Sequence, residues 1–180
     1  MPFEEVILVD PLDNAIGRME KLEAHRKGLM HRAFSVLIFN DNNELLLHQR
    51  AYEKYHSGGL WTNTCCGHPR PSEVTIQAAQ RRLKEEMGFE TTLHKLYDFT
   101  YQTSLTHELS EHEFDHVFVG HFNDIPTPNP AEVSDWQYIP IPQLQKHLSA
   151  KPHQYTYWFK LIMQKLIENQ IPINNHIITP

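Results

Sequence analysis

The sequence has few cysteines, no long apolar run and no excess of positive charge, and each shortage removes a class of protein. Two of its 180 residues are cysteine, and they are neighbours, Cys65 and Cys66. Adjacent thiols cannot staple distant segments, and a bond between them would be strained, so a disulfide framework is excluded and a reducing compartment is expected. No stretch approaches the roughly 20 apolar residues of a helical membrane span. The first ten residues are acidic and lack the charged-then-apolar order of a secretory signal, so a cytoplasmic location is expected. Lys and Arg number 16 against 22 Asp and Glu, a formal charge of −6. That balance disfavours nucleic acid and anionic membranes as general partners, while leaving room for a small anion held by local cations. Internal repeats and low-complexity tracts are missing too. At 180 residues the chain is expected to form one domain over 1–180, large enough to bury a core without disulfides or a structural metal.

What the sequence holds in number is histidine, 13 residues, the side chain that binds transition metals and titrates near neutrality. Most are expected to be ordinary surface residues. In chain order, residues 6–9, a turn cluster at 10–14 and residues 15–19 read as a hairpin, and 21–26 as a short helix carrying Lys21 and His25. Residues 32–40 form a nearly continuous apolar strand that turns at Asp41-Asn42-Asn43 into a return strand, 44–50. A loop over 51–60 holds Lys54 and the flexible pair Gly58-Gly59. Further on, 93–101 reads as a strand, 102–110 as a loop, 111–122 as a long strand and 133–139 as a final strand after the proline-bearing loop 124–132. Residues 140–148 and 153–169 are predicted helices. Tyr155, Trp158, Phe159 and Ile162 make an aromatic-rich stripe on the second, a pattern that is more often core than site.

Residues 62–89 organise the rest. The stretch Thr62-Asn63-Thr64-Cys65-Cys66-Gly67-His68-Pro69 leads into a helix predicted over 72–87, with Ser72 as N-cap, Glu73 at the positive end of the dipole and Gly88 as a left-handed stop. Ile76, Ala79, Leu83 and Met87 make its buried stripe, flanked by Arg82 and Glu86. An Arg and a Glu four apart are more often a surface ion pair than the border of a cleft. The wider spacing shifts that balance: from Gly67, six residues lead to Glu73 and eight more to Arg81, then Glu85, Glu86, Gly88 and Phe89 follow. This resembles the Nudix signature, whose loop-helix-loop gathers carboxylates around a divalent cation on a diphosphate. Arg82 stands where Nudix hydrolases carry a metal-binding Glu, which argues against ordinary hydrolysis.

On the strand over 111–122, Glu111, Glu113 and Asp115 share a face with Val117 and Val119. Carboxylates about 7 Å apart on one strand face are costly to bury unless a cation or proton intervenes. Either that end of the strand lies in solvent or a cation belongs there. His25, His31, His68, Glu111 and Glu113 could together make a metal site, although the spacing of the first two does not put them on one helix face.

Lys21 and His25, His31, Arg50 with Lys54, the Asn63-Thr64-Cys65-Cys66-Gly67-His68-Pro69 stretch, Glu111-His112-Glu113 and Trp158 occur in an order that resembles the type I isopentenyl diphosphate:dimethylallyl diphosphate isomerases, from about residue 6 to residue 163. The resemblance implies an α/β fold, a Nudix-like α/β/α sandwich with a mixed sheet. It implies that His25, His31, His68, Glu111 and Glu113 hold one divalent metal, Mn2+ or Zn2+, and that Glu86 helps hold Mg2+ on the substrate diphosphate. Lys21, Arg50, Lys54 and Arg82 match the diphosphate-binding cations. Cys66 and Glu113 match the pair that exchanges protons with carbon, and Tyr101 the hydroxyl that assists the Glu. Trp158 matches a tryptophan whose face can stabilise a tertiary carbocation. Moving a double bond by one carbon adds a proton at one carbon and removes another elsewhere, which a thiol and a carboxyl facing the hydrocarbon from different sides can do. The implied partner is a small homoallylic or allylic diphosphate, with neither nucleic acid nor membrane, and the chain acts as a monomer or homodimer. At His56-Ser57-Gly58-Gly59 some members carry an aromatic-Pro-Gly sequence, so this loop's contacts are expected to differ. A Nudix hydrolase of a nucleoside or isoprenoid diphosphate is the second reading, and it has no use for Cys66 or Glu111. A non-catalytic metal-binding module is the third.

Overall fold

The structure is a computed structural model that describes residues 4–54, 56–105, 109–169, 171–173 and 176–177. Its elements in order are β1 (Glu5–Val9), β2 (Ala15–Glu20), α1 (Lys21–Lys27), β3 (His31–Phe39), β4 (Glu44–Arg50), β5 (Trp61–Thr62), β6 (Cys65–Gly67), α2 (Thr75–Met87), β7 (Leu93–Ser104), β8 (Ser110–His121), β9 (Val133–Pro140), α3 (Ile141–Ala150), α4 (Tyr157–Glu168), β10 (Pro172–Ile173) and β11 (His176–Ile177).

β3 is buried along nearly its whole length because it has neighbours on both edges and layers on both faces, which is why it reads as a continuous apolar run. β8 lies parallel to it from His31↔Glu113 to Phe39↔His121. Its other edge meets β1 at His31, β6 over Phe34, Ser35 and Val36, and β4 at Phe39. β2 then flanks β1, β7 flanks β8, and β5 and β9 flank β4, making one mixed nine-stranded sheet. Side-chain alternation sends Phe34, Val36 and Ile38 of β3 and Phe118 of β8 against Ala78, Ala79, Leu83 and Met87 of α2. Leu37, Phe39 and Val117 point the other way, against Trp158, Phe159, Ile162 and Met163 of α4 and Leu144 of α3. Helices cover both faces, and the expected α/β/α sandwich with a mixed sheet is the fold.

Several element boundaries differ from those expected. α2 begins at Thr75 with Val74 as its N-cap and no side-chain cap, while Ser72 sits in a turn with φ 69°. Glu73 does not serve the helix dipole either. It accepts the backbone N–H of Arg70 at 2.8 Å and both Nε and Nη2 of Arg81, at 2.7 and 2.9 Å, tying the loop down onto the helix. β7 continues to Ser104, pairing Gln102, Thr103 and Ser104 with the start of β8, so the expected loop over 102–110 shortens; residues 106–108 of it lie outside the described residues. α4 starts at Tyr157, after a short 3-10 turn over Pro152–Gln154, and Tyr155 contributes to the core from just ahead of the helix. The strands β5 and β6 were not foreseen.

Candidate active site

Strand register builds the site. His31 lies opposite Glu113 in the β3/β8 ladder, and Tyr101 lies opposite the same residue in the β7/β8 ladder. Opposed residues share a face, so an imidazole, a carboxylate and a phenol stand in one row, with Glu111 one pleat further along. His68, the residue after β6, arrives from the other edge of β3, and α1 lays His25 over the end of the row. Glu111, Glu113 and Asp115 are 3%, 8% and 1% exposed, so this end of β8 is buried, not in solvent.

Nδ1 of His25 meets the carbonyl of Lys21 at 2.6 Å, and Nδ1 of His31 meets that of Leu29 at 2.8 Å. A carbonyl only accepts, so each Nδ1 carries the proton and each Nε2, when neutral, turns a lone pair into the site. His25 Nε2 lies 3.1 Å from Glu111 Oε2, and Glu113 Oε1 lies 3.0 Å from His68 Nε2 and 3.7 Å from His31 Nε2. One donor atom from each of these five residues falls within 4.8 Å of all the others. Among the described residues His31 Nε2 has no hydrogen-bond partner although it is buried. Lone pairs and carboxylates converging in so small a space require a cation or protons between them. Three imidazoles and two carboxylates fit a divalent cation. The carbonyls on Nδ1 of His25 and His31 aim each Nε2 into the cluster, the arrangement in which outer partners orient a metal-binding imidazole.

The electrostatics agree. Burial, reinforced by repulsion from His25, lowers His31 to about 4. Burial and then His31 keep His68 well below the usual imidazole range. Burial alone would raise Glu111, but His25 and His56 outweigh it and hold its carboxyl down near about 2. Burial and then the charges of Glu111 and Asp115 push Glu113 well above the carboxylate range. A dication held by the cluster would reverse that last shift by favouring the ionised carboxylate.

Cys66 reaches the same cavity, of about 280 Å3, which Tyr101, Glu113, His68 and Trp158 also line. It pairs with Ser35 of β3 and so faces the α4 side, whereas Cys65 pairs with Val36 and packs among the α2-side residues. Burial pushes the Cys66 thiol up to about 12 against the opposing pull of Arg50, so it is neutral at physiological pH. Tyr101 Oη donates to Glu113 Oε2 at 2.8 Å. Trp158 is buried in the cavity wall with the Arg50 guanidinium carbon 5.4 Å from its ring centroid.

The loop bearing Cys66 is held by polar residues that belong to the central stretch of the sequence but whose supporting contacts only the fold reveals. Thr62, Asn63 and Thr64 are completely buried. Thr62 Oγ1 bonds Thr156 Oγ1 ahead of α4 at 2.9 Å, and Asn63 Nδ2 donates to the carbonyl of Cys65 at 2.6 Å. Thr64 Oγ1 donates to Leu46 O at 2.6 Å and accepts from Ile38 N at 3.0 Å.

All four proposed diphosphate cations line the cavity, and Lys21, Lys54 and Arg82 each stand beside a carboxylate. Lys21 Nζ lies 3.0 Å from Glu4 Oε2, and Lys54 pairs with Glu132. Arg82 Nη2 donates to Glu86 Oε1 at 2.5 Å and lies 3.3 Å from Glu132 Oε2. Burial lifts Glu86 even with Arg82 beside it, while at Glu132 the cations Lys54 and Arg82 overcome burial and lower the carboxyl. Glu4 and Glu132 were missed in the sequence because each is distant in the chain from the cation it meets.

A mixed sheet between helices, with a loop-helix-loop from Gly67 to Phe89 along the cavity, defines a Nudix fold. The NUDIX domain family matches residues 29–159. A Deinococcus radiodurans protein of known structure aligns with a TM-score of 0.77 at 19% identity, covering 90% of this chain and 98% of its own. A MutT protein from Methanosarcina mazei Go1 aligns with a TM-score of 0.62 at 18% identity, over 76% and 91% of the two chains. These two likenesses are of fold alone. The isopentenyl-diphosphate Delta-isomerase of Serratia proteamaculans is 51% identical over 168 residues, 93% of this chain and 94% of that protein. Its counterpart from Pectobacterium atrosepticum is 51% identical over 166 residues, 92% and 93% of the two. The chain belongs to the isopentenyl-diphosphate Delta-isomerase family, a family of enzymes on the Nudix fold.

Proposed function

We propose that the protein interconverts isopentenyl diphosphate and dimethylallyl diphosphate, moving a double bond by one carbon and leaving the diphosphate intact. The observation that carries this is the meeting of a neutral thiol, Cys66, and a tyrosine-bonded carboxyl, Glu113, in one buried cavity walled by Trp158.

Cys66 and Glu113 stand on β6 and β8, on opposite edges of β3, and so approach a bound hydrocarbon from different sides. One gives a proton to an alkene carbon and the other takes a proton from carbon, and their roles exchange with the direction of reaction. The tertiary cation between these steps needs a partner that attracts it without trapping it, which the face of Trp158 offers. Burial of the cavity keeps water from that cation. Lys21, Arg50, Lys54 and Arg82 hold the diphosphate by charge-assisted bonds, and Glu86 helps carry its Mg2+. A second dication, Mn2+ or Zn2+, held by His25, His31, His68, Glu111 and Glu113, would supply charge that keeps Glu113 ionised and its neighbours fixed. The substrate is a small molecule, and the net charge of −6 supports a protein that binds neither nucleic acid nor anionic membrane. Two free cysteines support a cytoplasmic location, and among the described residues no helix is long and apolar enough to cross a membrane.

Isopentenyl diphosphate incubated with the protein and Mg2+ and followed by proton and phosphorus NMR tests the proposal. Dimethylallyl diphosphate should accumulate with no inorganic phosphate or diphosphate released. Phosphate release without allylic product would replace the isomerase reading with hydrolysis.

A further inference from the structure

His56 is buried in the wall of the cavity, its side chain 7% exposed, and none of the roles above uses it. It belongs to the loop that joins β4 to β5. Its Nε2 lies 3.4 Å from Glu111 Oε1, while the other oxygen of that carboxylate, Oε2, faces His25 Nε2 at 3.1 Å. Ser57 Oγ lies 3.3 Å from His56 Nδ1. A hydroxyl can donate to that nitrogen, which leaves the imidazole proton on Nε2, pointing at Glu111. The ring also stands edge-on to Trp158, with centroids 6.0 Å apart and planes at 80°. Its backbone is held as well, since Arg50 Nη2 donates to the His56 carbonyl at 3.3 Å.

We propose that His56 is a positioning residue: it holds Oε1 of Glu111 so that Oε2 is presented to the His cluster, and it braces Trp158, coupling the metal-binding end of the cavity to its apolar wall. The role rests on the proposed metal cluster. Outer partners of this kind matter because a carboxylate free to rotate binds a metal less well than one already aimed.

The test is a chelator-competition titration of Zn2+ and Mn2+ with the wild type, His56→Phe and His56→Gln, each checked for folding by circular dichroism. Phe keeps a ring edge for Trp158 but has no donor, whereas Gln keeps a donor without the ring. His56→Phe should bind metal roughly 10–100-fold more weakly, and His56→Gln should stay close to wild type. A side chain that merely fills space gives the opposite order. Wild-type affinity in His56→Phe, or equal weakening in both variants, overturns the role. A wild type that takes up no metal overturns the cluster itself and this role with it, an outcome distinguished by the wild-type titration alone.

Discussion

His48 is 2% exposed, and its Nδ1 meets the carbonyl of Thr64 at 2.9 Å, so a histidine outside the proposed chemistry supports the stretch that carries Cys66. Burial outweighs that hydrogen bond and lowers His48 from 6.5 to about 4. The sign of the consequence follows from linkage. Above pH 6.5 both the folded and unfolded forms are neutral here and the full stability is present. As the pH falls from 6.5 toward 4, the unfolded chain takes up a proton that the native site refuses, and stability is lost across that window. The depression corresponds to about 3 kcal/mol. Urea unfolding of wild type and His48→Asn, followed against pH, checks this: the variant should lose about 3 kcal/mol less than wild type between those limits. Parallel pH profiles would show that His48 carries none of the acid sensitivity.

The same dependence on supporting contacts governs the elements. α2 ends at Gly88 with φ 78°, and the carbonyls of Glu86 and Met87 accept Asn129 N at 2.8 Å and Thr127 N at 3.1 Å. The loop after β8 therefore satisfies the end of the helix, and the same loop delivers Glu132 to Lys54 and Arg82. A Cβ added at Gly88 would stand 2.3 Å from the Thr127 carbonyl oxygen, a backbone atom that cannot swing aside. Gly88→Ala should therefore cost about 2–4 kcal/mol by chemical denaturation, combining left-handed strain with the clash. A loss under about 0.5 kcal/mol, the range of an ordinary surface change, would mean that loop and helix end are not coupled. Gly88 and the stripe of Ala79, Leu83 and Met87 were legible in the sequence because helix stops and periodicity are local. The start of the same helix was misread because Glu73 is claimed by Arg81, eight residues on, a contact that exists only once the helix has formed. β7 outran its expected end for a similar reason: Gln102 and Thr103 are polar, yet pairing with His112 and Glu111 keeps them in the sheet.

Across the whole molecule, the proposed site draws on α1, β3, β4 and the loop after it, β6, α2, β7, β8 and α4. Local patterns read most of these elements, though not β6, and no spacing in the chain encodes the register that sets His31, Glu113 and Tyr101 side by side. The motifs of a known family stood in for that register: of the site residues they named, all but His25 and His31 line one cavity, and those two cluster with His68, Glu111 and Glu113 at its edge. Glu4, His48 and Glu132 escaped notice, and His56 was read only as part of a loop, because their partners are brought near only by the fold. Net charge misleads at this scale as well: the chain carries −6 overall, yet Lys21, Arg50, Lys54 and Arg82 gather on one cavity. The central claim, that this cavity moves protons on and off carbon through Cys66 and Glu113, is met most directly by turnover of isopentenyl diphosphate in D2O with Mg2+. The wild type should place solvent deuterium on carbon in the substrate and product pool. Cys66→Ala, folded and with unchanged metal content, should slow that exchange by roughly 10^2–10^4-fold. Product free of solvent deuterium, or a Cys66→Ala rate close to that of the wild type, would contradict it.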